Sequence, residues 1–481
     1  MSASLRMDHA AGPGVAPARR KLTVMSLGES MDPAIHATLE RLAELAYVRE
    51  VIALPDVHWK EHMEVPSSIA IETRDTLVPE FTSVAVNDGM GVIRTGLQAE
   101  DMTPERIAAF FTSINAHSAS NFFETNRYSI SPADLRRVVI EGAAALLGRY
   151  QLDASVLDCF EDRGRMEMPR TGDPLHEVVP APLLWTRFSR SEMGLNFGGN
   201  HFLELQTVDE VLDPAAAERW KLSPGQVVVM YHLGPGPFGG TLLNHYADRE
   251  KLQASRRPLF LVSKLLFHYV QRMGRGHWSS KWPTYFRRNV WTPLQAGSPE
   301  GQLLHQAFAM AINFGYGYRL ATVAGIRDAL QEAIAPDAGF DPLCDISHNG
   351  VTAQADAAGI SWVARHNACR LSPGGPGIVA GSHDVPSYLG VCGEGLQGRF
   401  HSYDHGGGHL IDNYRDAGRL PEAEGRVLRL KMTRGKQARI VRQQEVPMRG
   451  REPMDRLMEC LERHEVMRPA VRLRPLGNLK N

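Results

Sequence analysis

The stretch after the first twenty residues decides the fold class. "KLTVMSL" (Lys21–Leu27) has the apolar, β-branched content of a strand. "DPAIHATLERLAEL" (Asp32–Leu45) repeats apolar residues at helical spacing, and "VREVIALPDV" (Val48–Val57) is a second strand. A strand–helix–strand opening predicts an α/β fold. Further short strands are expected over "PSSIAIET" and "FTSVAVND", a helix over "DLRRVVIEGAAALLGRY", and a buried strand over "QVVVMYH". "RRPLFLVSKLLFHYVQRM" and "GQLLHQAFAMAINF" read as long helices, and "DRLMECLERHEVM" as a late amphipathic one. Glycine and proline cluster at 234–240, 373–381 and 406–408, each beside an apolar run, so they mark ordered loops and not linkers. No repeat and no domain boundary emerges. The expectation is one large domain over 21–481, preceded by a disordered tail over 1–20.

Charge and cysteine content narrow the function. The net charge is −1, so nucleic acid would have to be held by a local basic patch and not by a whole-molecule field. Five cysteines, an odd number spread over 481 residues, make no disulfide framework and point to a reducing, cytoplasmic compartment. No apolar run approaches the length of a membrane span, and the tail lacks the apolar region of a signal peptide.

Polar residues that could do chemistry recur beside strand-like runs. "LPDVHWK" brings Asp56 and His58, "VNDGMG" brings Asp88, and "FGGNHFLE" brings Asn200, His201 and Glu204. "VVVMYHLGPGPFGG" ends a strand in His232; "CDISHNG" supplies Asp345, His348 and Asn349; "HSYDHGGGH" supplies His401, Asp404, His405 and His409. Many sit at carboxyl ends of apolar runs, where open α/β sheets collect ligands. A lone loop histidine usually caps its own backbone, but histidines joined by carboxylates suit a divalent metal of intermediate hardness such as manganese, iron or zinc. No C-x₂-C spacing supports a structural zinc site.

His401, His405 and His409 have helical spacing, yet Gly406–Gly408 would each cost about 1 kcal/mol in a helix interior. The segment is therefore expected to be a tight loop whose N–H groups can approach an anion, with a histidine able to form a phosphoramidate. "HWSSKWPTYFRRNVW" (His277–Trp291) interleaves Lys281, Arg287 and Arg288 with aromatic rings. Such a stretch can hold a single strand by charge and stacking, or simply be a packed loop with a cationic rim.

In order and spacing, these motifs resemble the RtcB-type RNA-splicing ligases from about Val51 to the C-terminus. "LPDVHWK" is similar to the family's M-P-D-V-H, "VNDGMGVIRT" to G-C-G-M-x-x-x-R-T, and "GGNHFLE" to G-G-N-H-F-I-E. His232 falls on the histidine of H-S-G-S-R, "INFGYGYR" on A-N-F-A-F-A-N-R, and "GSHDVPSYL" on G-S-M-G-T-A-S-Y-L. "HGGGH" stands for H-G-A-G-R and "RPLGNLKN" for R-P-L-G-V-V-K-G. The resemblance implies an α/β domain with a deep metal-containing cleft, two Mn²⁺ ions, GTP as cofactor, and broken RNA ends as substrate. It implies a ligase that joins a 3′-phosphate or 2′,3′-cyclic phosphate to a 5′-hydroxyl through a histidine–GMP intermediate. Carried over by position, His405 would be the nucleophile; Asp88, His201, His232 and His348 would be metal ligands. Asn200, Glu204, Asn349, Ser382 and Lys480 would lie near the guanylate.

The sequence also departs from the pattern. Asp88 stands for the family's metal-binding Cys, and Ala85 for an Asp before it. The family's R-K-G-A is Arg365-His366-Asn367-Ala368, and the Arg of H-G-A-G-R is His409, which removes a bidentate phosphate donor. Tyr318 replaces an Asn, and "HLGPG" replaces H-S-G-S-R. A carboxylate in place of a thiolate suits Mn²⁺, so metal binding is expected to survive. The altered phosphate contacts leave two alternatives open: a metal-dependent phosphohydrolase acting on cyclic or terminal phosphates without ligation, and a non-catalytic protein that binds RNA ends.

Overall fold

The computed structural model describes residues 21–28, 31–61, 63–117, 125–168, 175–185, 188–191, 193–194, 197, 200–247, 257–272, 278–286, 291–356, 359–370, 374–393, 400–433 and 439–480. The predicted tail, Arg287 and Arg288 lie outside them.

The opening strand–helix–strand is present as Leu22–Val24, the helix Pro33–Glu44 and Val48–His58, the two strands being parallel. They belong to a five-stranded sheet completed by Ser67–Arg74, Gly359–His366 and Asn349–Asp356, all added antiparallel. A larger sheet runs in the order Pro376–Val379, Ser387–Cys392, Met467–Lys480, Phe202–Val211, Gln226–Leu233, Gly89–Gln98, Asp341–Ser347. A hairpin, Glu422–Thr433 with Arg439–Arg449, joins it at Met467–Lys480.

One apolar core lies between the sheets and a 35-residue helix, Pro299–Ala333. That helix is buried on every side from Gln306 to Ile326, which is why it reads as apolar all round and not amphipathic. A second core packs Glu452–Arg463 and Gly408–Asp416 against the other face of the larger sheet. The result is one large α/β domain. All five cysteines are free thiols. Among the described residues no helix is long and apolar enough to cross a membrane.

Several expectations about elements need correction, among them two of the expected glycine–proline loops: 234–240 runs into the helix Gly236–Asn244, and 373–381 contains the strand Pro376–Val379. "FTSVAVND" is not a strand: a single 3₁₀ turn at Pro79–Phe81 leads into an irregular connection, and Asp88 immediately precedes the strand Gly89–Gln98. The helix expected over 134–150 stops at Glu141. Gly142 there takes φ +70°, and a Cβ on it would lie 2.2 Å from the Gly164 carbonyl oxygen, so close packing ends the helix. The glycine segment is only half a loop. Gly407 is the N-cap of Gly408–Asp416, so His409 lies in a first helical turn. Glycine is tolerated at a helix start, where the interior penalty does not apply.

Candidate active site: histidines at one end of the larger sheet

The rule that ligands gather at carboxyl ends of strands belongs to parallel sheets, and this sheet is mostly antiparallel. Here one end collects strand beginnings and strand ends alternately. Gly89 pairs with both Leu233 and Ser347, and His232 with both Met90 and Phe202. Register alone therefore brings Asp88, His201, His232 and His348 to the same end, although they are spread over 261 positions of the chain.

Their side chains converge. His232 Nε2 lies 3.3 Å from His348 Nε2, and His201 Nε2 lies 3.3 Å from Asp88 Oδ2. The His201 and His232 ring centroids are 5.5 Å apart. His405, just after the strand Ser402–Asp404, is brought in by backbone bonds on both sides of it. Ala380 N–H donates to the His405 carbonyl and Gly407 N–H to the Ala380 carbonyl. Its ring lies 4.7 Å from that of His348 and 5.8 Å from that of His232. One ligand atom from each of His232, His348 and His405 falls within 4.8 Å of the others.

Burial sets the charge state of these rings. His232 and His348 are held well below the usual imidazole range by burial and by neighbouring histidines. His405 is lowered to about 3 by burial and then by the Lys60 charge. All three are neutral at pH 7, with lone pairs available. His348 Nδ1 and Asp88 Oδ1 are buried without a hydrogen-bond partner, an arrangement that costs about 1–3 kcal/mol per group unless a ligand satisfies it. Imidazole nitrogens with a carboxylate oxygen fit a divalent cation, and Asp88, His201, His232 and His348 could hold one.

A cleft of about 450 Å³ reaches His232 and His405, while Asp88, His201 and His348 do not line it. His232, His405, Asn200, Glu204, Ser382 and Lys480 line it. Asn349 does not. It borders a smaller cavity behind, and its amide oxygen accepts the Asn367 N–H at 2.8 Å. Glu204 is buried, and burial raises it to about 7 against the pull of Asn478 and Gln206; these donate to its oxygens at 2.7 and 2.6 Å. Ser382 donates to Asp384 at 2.7 Å. Lys60, Arg415, Arg429 and Lys480 face the cleft against Asp56, Glu204 and Asp412.

Sequence reasoning missed Lys60, which follows the noted "PDVH", and Arg429, which has no motif around it. It also missed the role of Asp56. That carboxylate accepts the His409 and Leu410 N–H groups at 3.3 and 2.8 Å. The donors expected to await an anion are thus capped by the protein's own side chain. His409 stacks on His58, with centroids 4.6 Å apart. Asn367, which stands where the family pattern has glycine, takes φ +52°, a left-handed conformation that asparagine tolerates better than most residues. Lys281, expected at a cationic surface, is buried and donates to the carbonyls of His268 and Arg272 at 2.8 and 2.9 Å.

An α/β domain with a histidine–carboxylate cluster beside a cleft that several cations line defines a class by its make-up: the cluster could take a divalent cation and the cleft an anionic ligand. The chain belongs to the RtcB family, since residues 38–481 match the family model described as tRNA-splicing ligase RtcB. It is 24% identical over 459 residues to the tRNA-splicing ligase RtcB of Pyrobaculum aerophilum, covering 89% of this chain and 87% of the relative. It is 25% identical over 465 residues to the RNA-splicing ligase RtcB of Mycobacterium bovis, covering 90% and 97%. The Pyrococcus horikoshii relative is 26% identical over 424 residues, covering 82% of this chain but 44% of that longer protein.

Proposed function

We propose that the protein is a GTP- and Mn²⁺-dependent RNA ligase that joins 3′-phosphate or 2′,3′-cyclic phosphate ends to 5′-hydroxyl ends. The observation that carries this reading is the place of His405. It is a neutral imidazole beside the His232–His348 pair, on the wall of a cleft that also holds Glu204, Ser382 and Lys480. Divalent cations at Asp88, His201, His232 and His348 would neutralise phosphate charge and align displacements.

The His405 lone pair attacks the α-phosphorus of GTP, forming an N–P bond and expelling pyrophosphate. Burial keeps this nitrogen unprotonated, while Lys60, Arg415, Arg429 and Lys480 offset the charge of the entering triphosphate. A 2′,3′-cyclic end takes up water to become a 3′-phosphate. An oxygen of that phosphate takes the guanylate from His405 and frees the ring. The 5′-hydroxyl then attacks the activated 3′-phosphorus, loses its proton and releases GMP.

Incubation with α-labelled GTP and Mn²⁺ tests the proposal. Label that survives base, is released by acid and is absent from His405→Ala is expected. No label with any divalent metal overturns it. The capping of the His409 and Leu410 N–H groups by Asp56 favours a second reading, a phosphohydrolase with a weaker nucleotide grip. That reading predicts opening of a 2′,3′-cyclic phosphate without GTP and without ligation.

A further inference from the structure

The hairpin Glu422–Thr433 with Arg439–Arg449 adds two strands to the larger sheet beside the cleft. Side chains alternate between the two faces of a strand, so register sorts the hairpin's residues. One face is apolar. Leu428, Leu430 and Met432 are buried on it, and a Cβ on Gly477, which is in register with Leu428, would strike Ile107 and Phe111 of the helix Pro104–His117. Glu445, the one Asp or Glu between Arg426 and Arg449, is also in register with Leu428 and pairs with Arg426 at 3.2 Å.

The other face is cationic. Lys480 is in register with Lys431, and Lys431 with Arg442, so three cations stand directly across three neighbouring strands. The row beside them runs Glu204, Asn478, Arg429, Gln444, and Arg439 stands a row further on, opposite Thr433. Lys431, Arg439 and Arg442 are exposed. Among the described residues none of these three, nor Arg429, pairs with a carboxylate. Like charges directly opposite on neighbouring strands destabilise a sheet. Burial and then the Arg429 charge lower Lys480 at the cleft end of the same face. Edge strands often carry charge that blocks pairing with another chain. That accounts for Arg439 and Arg442 on the outermost strand, but not for Arg429 and Lys431 on the strand inside it.

Arg429 and Lys480 line the cleft. The cationic face therefore begins at the cleft wall, and two strand spacings carry it about 10 Å further to Arg442. No aromatic ring stands in these rows, so the face offers charge and not base stacking. We propose that it holds the sugar–phosphate backbone of the RNA strand whose end enters the cleft, gripping phosphates without reading bases. The inference rests on the reading of the cleft as the site of an RNA end, and it adds where the rest of the strand lies. Continuity with the cleft favours that strand over an acidic protein.

Fluorescence anisotropy tests the proposal, with the full chain, no GTP, and a labelled oligoribonucleotide of about twelve nucleotides ending in a 3′-phosphate. Lys431→Gln/Arg442→Gln is expected to weaken binding at least about fivefold at low salt. It is also expected to flatten the slope of log affinity against log salt concentration by about 1.4, the value for two lost single-strand phosphate contacts. Oligomers of different sequence are expected to lose the same factor. A trinucleotide ending in the same phosphate, too short to leave the cleft, is expected to lose nothing. Arg426→Gln, on the opposite face of the hairpin, and the charge-preserving Lys431→Arg/Arg442→Lys are expected to bind as the parent does. The double glutamine variant is expected to melt no lower than the parent, because it relieves the row of like charges. Unchanged affinity and slope in that variant, an equal loss for the trinucleotide, or a polyglutamate peptide with the same sensitivity overturns the proposal. His405 labelling is read separately, without RNA. Labelling in parent and variant alike with an unchanged RNA slope overturns this inference alone; a changed slope in a chain that takes no label overturns the ligase reading alone.

Discussion

Glu204 shows at the scale of one residue how function sets itself against stability. Its carboxylate is buried and raised to about 7. The unfolded value is near 4.3, and a shift of this size corresponds to roughly 3 kcal/mol. The folded chain therefore holds a proton that the unfolded chain has released, and stability falls as the pH rises from about 4.3 through about 7. Glu204→Gln removes the penalty. The hydrogen bonds survive, because Gln206 Oε1 has no partner and its amide can flip to accept from the new one. The variant is expected to melt a few degrees above the parent at pH 8 and no higher at pH 4.5, with weaker GTP binding at both. A carboxylate kept at this cost is characteristic of a functional position. The residue type and its place after "GGNHF" were legible in the sequence; its proton was not, because burial is a property of the fold.

The helix Gly408–Asp416 makes the same point for an element. Three glycines conceal it from helix propensity, and what starts it is Asp56, far away in sequence, whose carboxylate caps the His409 and Leu410 N–H groups. The strands around the site were legible from apolar runs, whereas the irregular path before Asp88 and the break at Gly142 were set by tertiary packing. Asp56→Ala uncaps two N–H groups beside the loop that carries His405. Loss of an N-terminal cap costs about 1–2 kcal/mol, so a lower denaturation midpoint and slower His405 labelling are expected together. The conservative Asp56→Asn, which keeps one accepting oxygen, should recover most of the midpoint. Full labelling in Asp56→Ala would show that the helix start does not position His405.

Among the described residues, lowered histidines outnumber raised carboxylates, and this decides the acid response. Among the described residues His58, His245, His305 and His383 are lowered to about 4, His405 to about 3, and His232, His268 and His348 further by burial. Each stays neutral when folded and takes a proton when unfolded below about 6.5, so stability is lost as the pH falls through that value. Asp56, Asp162, Glu204, Asp345, Asp404 and Asp455 are raised and act oppositely, but these eight imidazoles outnumber the six carboxylates. In EDTA the thermal midpoint is expected to fall steeply from pH 7 to pH 5. Mn²⁺ at a hundred times its dissociation constant would add about 2.7 kcal/mol at pH 7, and because burial keeps His232 and His348 neutral in the folded chain that increment should persist down to pH 5. His232→Ala/His348→Ala removes two of the side chains that would hold the cation and two depressed imidazoles together. Its midpoint is therefore expected to ignore Mn²⁺ and to fall less steeply with acid; a Mn²⁺ response equal to the parent's would place the cation somewhere other than the end of the larger sheet.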